Sequence, residues 1–226
     1  MHEGRYMEEA RVKYVMEVIR ERRSIRKYKK TPIPDEIIHR LLEAAVLAPN
    51  GENFQPWRFI VIKDKNTIKS IGVISARASG RRFLQEFLSG KLEKRLGGIP
   101  PEKKKLVIKK MIEGGVSGFV GTAPLIIAVC NVPAEGIDTP WDCAAATENL
   151  ILLAQSYGLG TCWVIGPTKD PRDQVKMKAL LNVPDDAHIQ YVISIGYPDE
   201  SPNPRPRKPM KDIVFSERYN EPYYRE

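Results

Sequence analysis

The chain has 226 residues, 42% of them hydrophobic and 28% charged, with a formal net charge of +8. That length buries a substantial core in one domain or at most two small ones, and the apolar content excludes a disordered chain. The longest clearly apolar stretch, Leu125 to Cys130, falls far short of the roughly 18 residues a membrane-spanning helix needs, and the polar start, Met1 to Arg11, lacks the apolar run of a secretory signal, so the expected location is the cytoplasm.

In chain order, Val12, Val15, Met16 and Ile19 recur at helical spacing and predict an amphipathic helix over Val12 to Arg22. A second helix starts near Pro34 with Asp35 and Glu36 in its first turn, turns Ile37, Ile38, Leu41, Leu42 and Ala45 inward, and stops before Pro49. Arg58 to Lys63 is a short β-branched run that reads as a strand, followed by a helix near Asn66 to Ile74. From Ser79 to Gly118 the chain turns basic, and Gly90, Gly97, Gly98, Gly114 and Gly115 interrupt two helical patterns; this segment reads as an excursion or lid outside the core.

Ala123 to Cys130 is a continuous apolar run of strand length, as in a strand covered on both faces. Thr139, Pro140 and Asp142 supply a cap, a proline at the first helical position and an acid three residues after the cap, opening a helix that ends at Gly158 and whose apolar residues on several faces suit burial or a subunit interface. Thr161 to Ile165 is a further strand, Asp170 to Asp173 opens a helix ending near Asn182, and Ile189 to Ile195 is the last core strand. Five prolines, from Pro198 to Pro209, make Asp199 to Pro209 an extended arm, and Ile213 to Phe215 beyond it is the right length for a strand on a second subunit. The expectation is one domain over 1–226, with a lid over 79–118 and a C-terminal arm over 198–226 that wraps a partner. Few short strands among helices favour an α+β fold over a doubly wound sheet, and neither GxGxxG nor GxxxxGK[ST] occurs.

Cys130, Cys143 and Cys162 are odd in number and set among apolar neighbours, which suits small buried hydrophobes rather than disulfides. His2, His39 and His188 are scattered, with no ligand spacing on one helix, so no protein-built metal site is expected. Lys103, Lys104, Lys105, Lys109 and Lys110 lie at helical spacing, which makes a solvated face their plainest reading.

Four segments carry chemistry. In Arg22-Arg23-Ser24-Ile25-Arg26, the arginines either satisfy the end of the preceding helix or grip a phosphate, for which the guanidinium fork and a serine hydroxyl are well suited. The loop Ala48 to Trp57 holds Asn50, Gly51, Asn53 and Gln55; Pro49, Asn50 and Gly51 suffice for a turn, whereas Asn53 and Gln55 offer the paired donors and acceptors that a flavin's pyrimidine edge requires. Gly158-Leu159-Gly160 precedes a strand that ends at Ile165 and Gly166, where a glycine lets backbone approach a flat ligand. In the arm, Pro204-Arg205-Pro206-Arg207-Lys208-Pro209 is either pre-organised for an anion, a proline-rich ligand segment or a solvated tail.

Taken together, in this order and at these separations, the four segments resemble the FMN-dependent nitroreductase family from about Met16 to Tyr219. The resemblance implies a nitroreductase-like α+β fold, with a mostly antiparallel central sheet flanked by helices, and an intertwined homodimer with one FMN at each subunit interface. It implies that Arg22, Arg23, Ser24, Arg26 and Arg207, helped by Arg205, hold the FMN phosphate and ribityl chain. Asn50, Gly51, Asn53 and Gln55 would face the flavin ring or its polar edge, with Ile165 and Gly166 approaching from the strand end. Some members carry an acid where this chain has Ile165, which leaves the choice of substrate open.

The implied activity is hydride transfer from NADH or NADPH through FMN to a small electron-poor acceptor, a nitroaromatic or quinone, in two half-reactions sharing one site. The flavin carries the redox chemistry and the protein positions it. The alternatives are the family's dehalogenase and flavin-fragmenting branches, and, from a different class, a basic nucleic-acid-binding protein built on the lysine segment and the arm. The absence of aromatics interleaved with those lysines argues against the last, so neither nucleic acid nor membrane is an expected partner.

Overall fold

The computed structural model describes residues 2–133 and 139–224. Its helices are α1 (His2–Glu21), α2 (Asp35–Val46), α3 (Lys65–Leu88), α4 (Lys91–Arg95), α5 (Pro101–Ile112), α6 (Pro140–Ser156), α7 (Gly166–Lys169) and α8 (Pro171–Leu181), and its strands β1 (Trp57–Ile62), β2 (Leu125–Asn131), β3 (Gly160–Val164) and β4 (His188–Gly196). The strands form a single sheet in the order β1-β2-β4-β3 with every pair antiparallel, as the α+β reading with an antiparallel sheet expects.

Every residue of β2 is buried, because the strand is central and packed on both sides. Its alternation sends Leu125, Ile127 and Val129 into one core with Leu41 and Ala45 of α2 and Ala146 and Leu150 of α6. Ile126, Ala128 and Cys130 enter a second core with Ile68 and Ile71 of α3 and Met177 of α8. The period of two along a strand is thus read out as two hydrophobic layers. Cys130, Cys143 and Cys162 are all buried, and burial pushes the Cys130 thiol up to about 11, which keeps it protonated.

Several elements depart from expectation. The helix placed near Asn66 to Ile74 runs on to Leu88 as α3, so position 79, where the excursion was expected to begin, lies inside it. Small residues in α3 look like helix breakers in sequence but serve close packing. A Cβ on Gly72 would stand 2.4 Å from the Gly121 Cα, and buried Ser75 returns its hydroxyl to the Ile71 carbonyl at 2.8 Å. Beyond that contact, Phe83, Leu92 and Ile108 form a separate small cluster joining α3, α4 and α5.

Within the chain, Ile213 to Phe215 pairs with no strand of the sheet: a single 3₁₀ turn over Met210–Asp212 precedes it, and Phe215 bridges to Pro222 of its own tail. The expected side-chain cap at Thr139 does not form. Asp170 does cap α8, accepting from the Arg172 amide at 3.0 Å. No described helix is long and apolar enough to cross a membrane.

Candidate functional site

Arg22 to Lys29 leaves α1 as an extended segment along the outer edge of β3. Ser24 bridges to Thr161 in parallel, and the Ile25 amide donates to the Thr161 carbonyl at 2.9 Å. This is possible because residue 160 is glycine: a Cβ there would lie 2.5–2.9 Å from the Ile25 side chain. The Gly-Leu-Gly punctuation therefore has a packing purpose, seating the arginine segment against the sheet. From inside, the Tyr28 hydroxyl donates to the Ile25 carbonyl at 2.5 Å and lies 2.7 Å from the Ser194 hydroxyl. Burial raises its pKa far above the ordinary phenol value, so it remains a donor.

On the other side of this segment comes the start of the arm. Tyr28 bridges to Pro198, the Lys29 amide donates to the Tyr197 carbonyl at 2.9 Å, and the Asp199 amide donates to the Lys27 carbonyl at 3.0 Å. The arm then folds over the arginines, so that residues from opposite ends of the sequence line one cavity of about 520 Å³. Arg20, Arg22, Arg23, Arg26, Arg205 and Arg207 contribute six guanidinium groups to it, with Ser24 among them and Glu148 of α6 the lone acid. None of the six forms an ion pair among the described residues. Unneutralised positive charge gathered in a concave site creates a strongly anion-attracting potential.

The helix-end reading of the first motif is visible in the hydrogen bonds. Arg23 donates to the Arg20 and Arg22 carbonyls at 2.5 and 2.8 Å, completing the end of α1, and Arg26 donates to the Ser24 carbonyl at 3.1 Å. Each spends one nitrogen this way, leaving the rest of a five-donor fork for an anion.

The amide loop is built differently. Glu52, Asn53 and Gln55 all have positive φ, at 47°, 59° and 48°, a conformation costing about 1 kcal/mol or more for each residue that is not glycine. Local bonds hold it: the Gln55 amide donates to Asn50 Oδ1 at 2.8 Å, and Gln55 Nε2 to Asn53 Oδ1 at 3.2 Å. The Gly51 amide donates to Asp142 Oδ2 at 3.3 Å, so the acid expected to close a capping box on α6 anchors the loop instead. Asn50, Gly51, Asn53 and Gln55 do not line the arginine cavity. Six residues separate Asp142 from Glu148, which puts them about 9 Å apart along α6 and about 120° apart around it.

Ile165 and Gly166 join a third group. Ile165 is 52% exposed, and no atom stands within 4 Å of a Cβ added at Gly166. Both line a cavity of about 830 Å³ whose other wall is the second half of α3. That wall brings in Arg81 and Arg82, which the sequence reading missed because it ended the helix at Ile74, and Lys169 joins them from α7. Arg81 is paired with buried Asp173, and hydrogen bonds from Arg172, supported by the Arg81 charge, hold the Asp170 carboxyl well below the usual carboxylate range. The structure therefore joins the two arginine motifs and keeps the amide loop and the Ile165-Gly166 strand end apart from them. Among the described residues no cluster of His, Cys, Asp or Glu is arranged to hold a metal ion.

Comparison with known proteins gives a consistent picture. The model of a family described as "Nitroreductase family" matches residues 19–197. A Thermus thermophilus protein named NADH dehydrogenase is 29% identical, covering 86% of this chain and 91% of its own length. An iodotyrosine deiodinase of Thermotoga neapolitana is 25% identical, covering 92% of this chain and 99% of its own. In fold, the chain is similar to an FMN-dependent nitroreductase from Clostridium difficile, with a TM-score of 0.64, 23% identity, and coverage of 90% of this chain and 99% of that one.

Proposed function

The chain belongs to the nitroreductase family, and on that footing we propose that it is an FMN-dependent oxidoreductase carrying hydride from NADH or NADPH to a small electron-poor acceptor of the nitroaromatic or quinone class. The observation that carries this reading is the cavity in which Arg22, Arg23, Ser24, Arg26, Arg205 and Arg207 converge, a donor set suited to a phosphate monoester. The fit extends to the flavin's polar edge, since Asn53 and Gln55 are exposed amides and Asn50 a half-buried one on a loop held in an unfavourable backbone conformation, and such strain concentrates at ligand sites.

FMN supplies the chemistry when bound, accepting hydride from the nicotinamide and returning reducing equivalents to the acceptor in a second, separate half-reaction. The residues of this chain bind and orient it. The arginines and Ser24 hold the phosphate, the amides of the loop pair with the pyrimidine edge, and Ile165 and Gly166 offer an open backbone surface to the ring. The loop lies apart from the arginine cavity within one chain, so a homodimer is the arrangement in which a partner's loop completes each site. Exposed apolar residues support it: Val12, Val15, Met16 and Ile19 form an uncovered stripe on α1, and Trp141 at the start of α6 is 77% exposed. The arm over 198–226 and the segment over 79–118 are proposed as the partner wrap and the lid.

The test separates the half-reactions. Without oxygen, NADH or NADPH alone should bleach the bound flavin, and a nitroaromatic or quinone added afterwards should restore its colour; a flavin that neither nucleotide reduces would refute the proposal. The deiodinase relative favours one second reading, reductive dehalogenation, which predicts that a halogenated tyrosine reoxidises the reduced protein with release of halide.

A further inference from the structure

Among the described residues, Glu200 is the only acid whose carboxylate accepts hydrogen bonds from the backbone of the arginine segment. Its Oε1 accepts from the Arg26 amide at 2.5 Å and from the Lys27 amide at 3.2 Å. It occupies the last position before the arm stops pairing: the Asp199 amide still donates to the Lys27 carbonyl, whereas Pro202 and Pro204, the next prolines, have no amide hydrogen to offer. Ahead of it in the chain lie Arg205 and Arg207, and the Arg26 amide that it holds ends the run Arg22, Arg23, Ser24, Ile25, Arg26. We propose that Glu200 is a positioning residue that latches the proline arm onto the arginine segment, aligning the two halves of the anion clamp. This rests on the reading of that cavity as the FMN phosphate site.

Geometry and charge make opposite demands here, which is what makes the inference testable. By charge alone, a carboxylate close to a phosphate site weakens anion binding, and removing it should tighten FMN. As a latch, its removal frees two backbone amides and lets the arm drift, so the arginines no longer converge and FMN should bind less well. A carboxylate accepting from two amides makes charge-assisted bonds, stronger than neutral ones, and the latch therefore outweighs the repulsion.

The experiment titrates FMN and riboflavin, which lacks the phosphate, onto the flavin-stripped full chain for the wild type, Glu200→Ala and Glu200→Gln, following quenching of flavin fluorescence. Wild type should prefer FMN. Glu200→Ala should weaken FMN binding about tenfold, the order expected for losing charge-assisted bonds, and leave riboflavin within about twofold. Glu200→Gln should fall between, because its amide oxygen still accepts. Unchanged or tighter FMN binding by Glu200→Ala would overturn the latch, and so would equal weakening of both flavins, the mark of general structural damage. A wild type that does not distinguish the two flavins would instead remove the phosphate site itself, and the latch with it.

Discussion

Gly160 shows how closely the seating of the arginine segment depends on single atoms in this chain. The Ile25 side chain lies where a Cβ at residue 160 would go, so Gly160→Ala must push the Ile25 segment away from β3 and carry Arg22, Arg23 and Arg26 with it. Overpacking of this kind costs about 1–3 kcal/mol, or several degrees in Tm for a domain of this size. The expected result is a modestly lowered melting temperature with a disproportionate loss of FMN affinity; unchanged affinity would show that the arginine segment does not depend on that seat. The arginines and the glycines were legible in sequence because each motif is local. The contacts of Glu200 and Asp142 with distant amides were not: the bond from the Arg26 amide to Glu200 spans 174 positions and that from Gly51 to Asp142 spans 91, and no spacing rule reaches across such intervals.

Among the elements, α1 is the least explained by its own chain. Its apolar stripe was read from periodicity as one face of an amphipathic helix, and Val12, Val15, Met16 and Ile19 on that face are 61%, 54%, 40% and 46% exposed. A helical face of this kind is ordinarily covered, and a second copy is the occupant the proposed dimer supplies. Val15→Glu with Ile19→Glu should convert a dimer to a monomer in light scattering and release the flavin, while a variant that remains dimeric would place the interface elsewhere. In contrast, α2 and α8 were legible because acids or a cap mark their starts and each has an apolar face that joins one of the two cores. The full extent of α3 was hidden by Ser75, Ser79 and Gly80, which are buried and serve contact rather than punctuation.

The whole molecule shows a division of labour. The antiparallel sheet and its two hydrophobic layers form a support, and the residues proposed to carry chemistry sit on its edges and connections. The fold class was legible because β2 reads as a doubly covered strand and the helices carry their own signals. The joining of the first motif to the last was legible only through family resemblance, since the extended backbone that connects them, from Arg22 to Lys29 and from Tyr197 to Arg207, has no periodicity to read. The central claim is that this surface holds FMN. The most direct test is to purify the full chain in a single oligomeric peak, record its visible spectrum, and identify what acid releases. The account predicts a yellow dimer that yields FMN at about one per chain; a colourless protein that also fails to take up added FMN would contradict it.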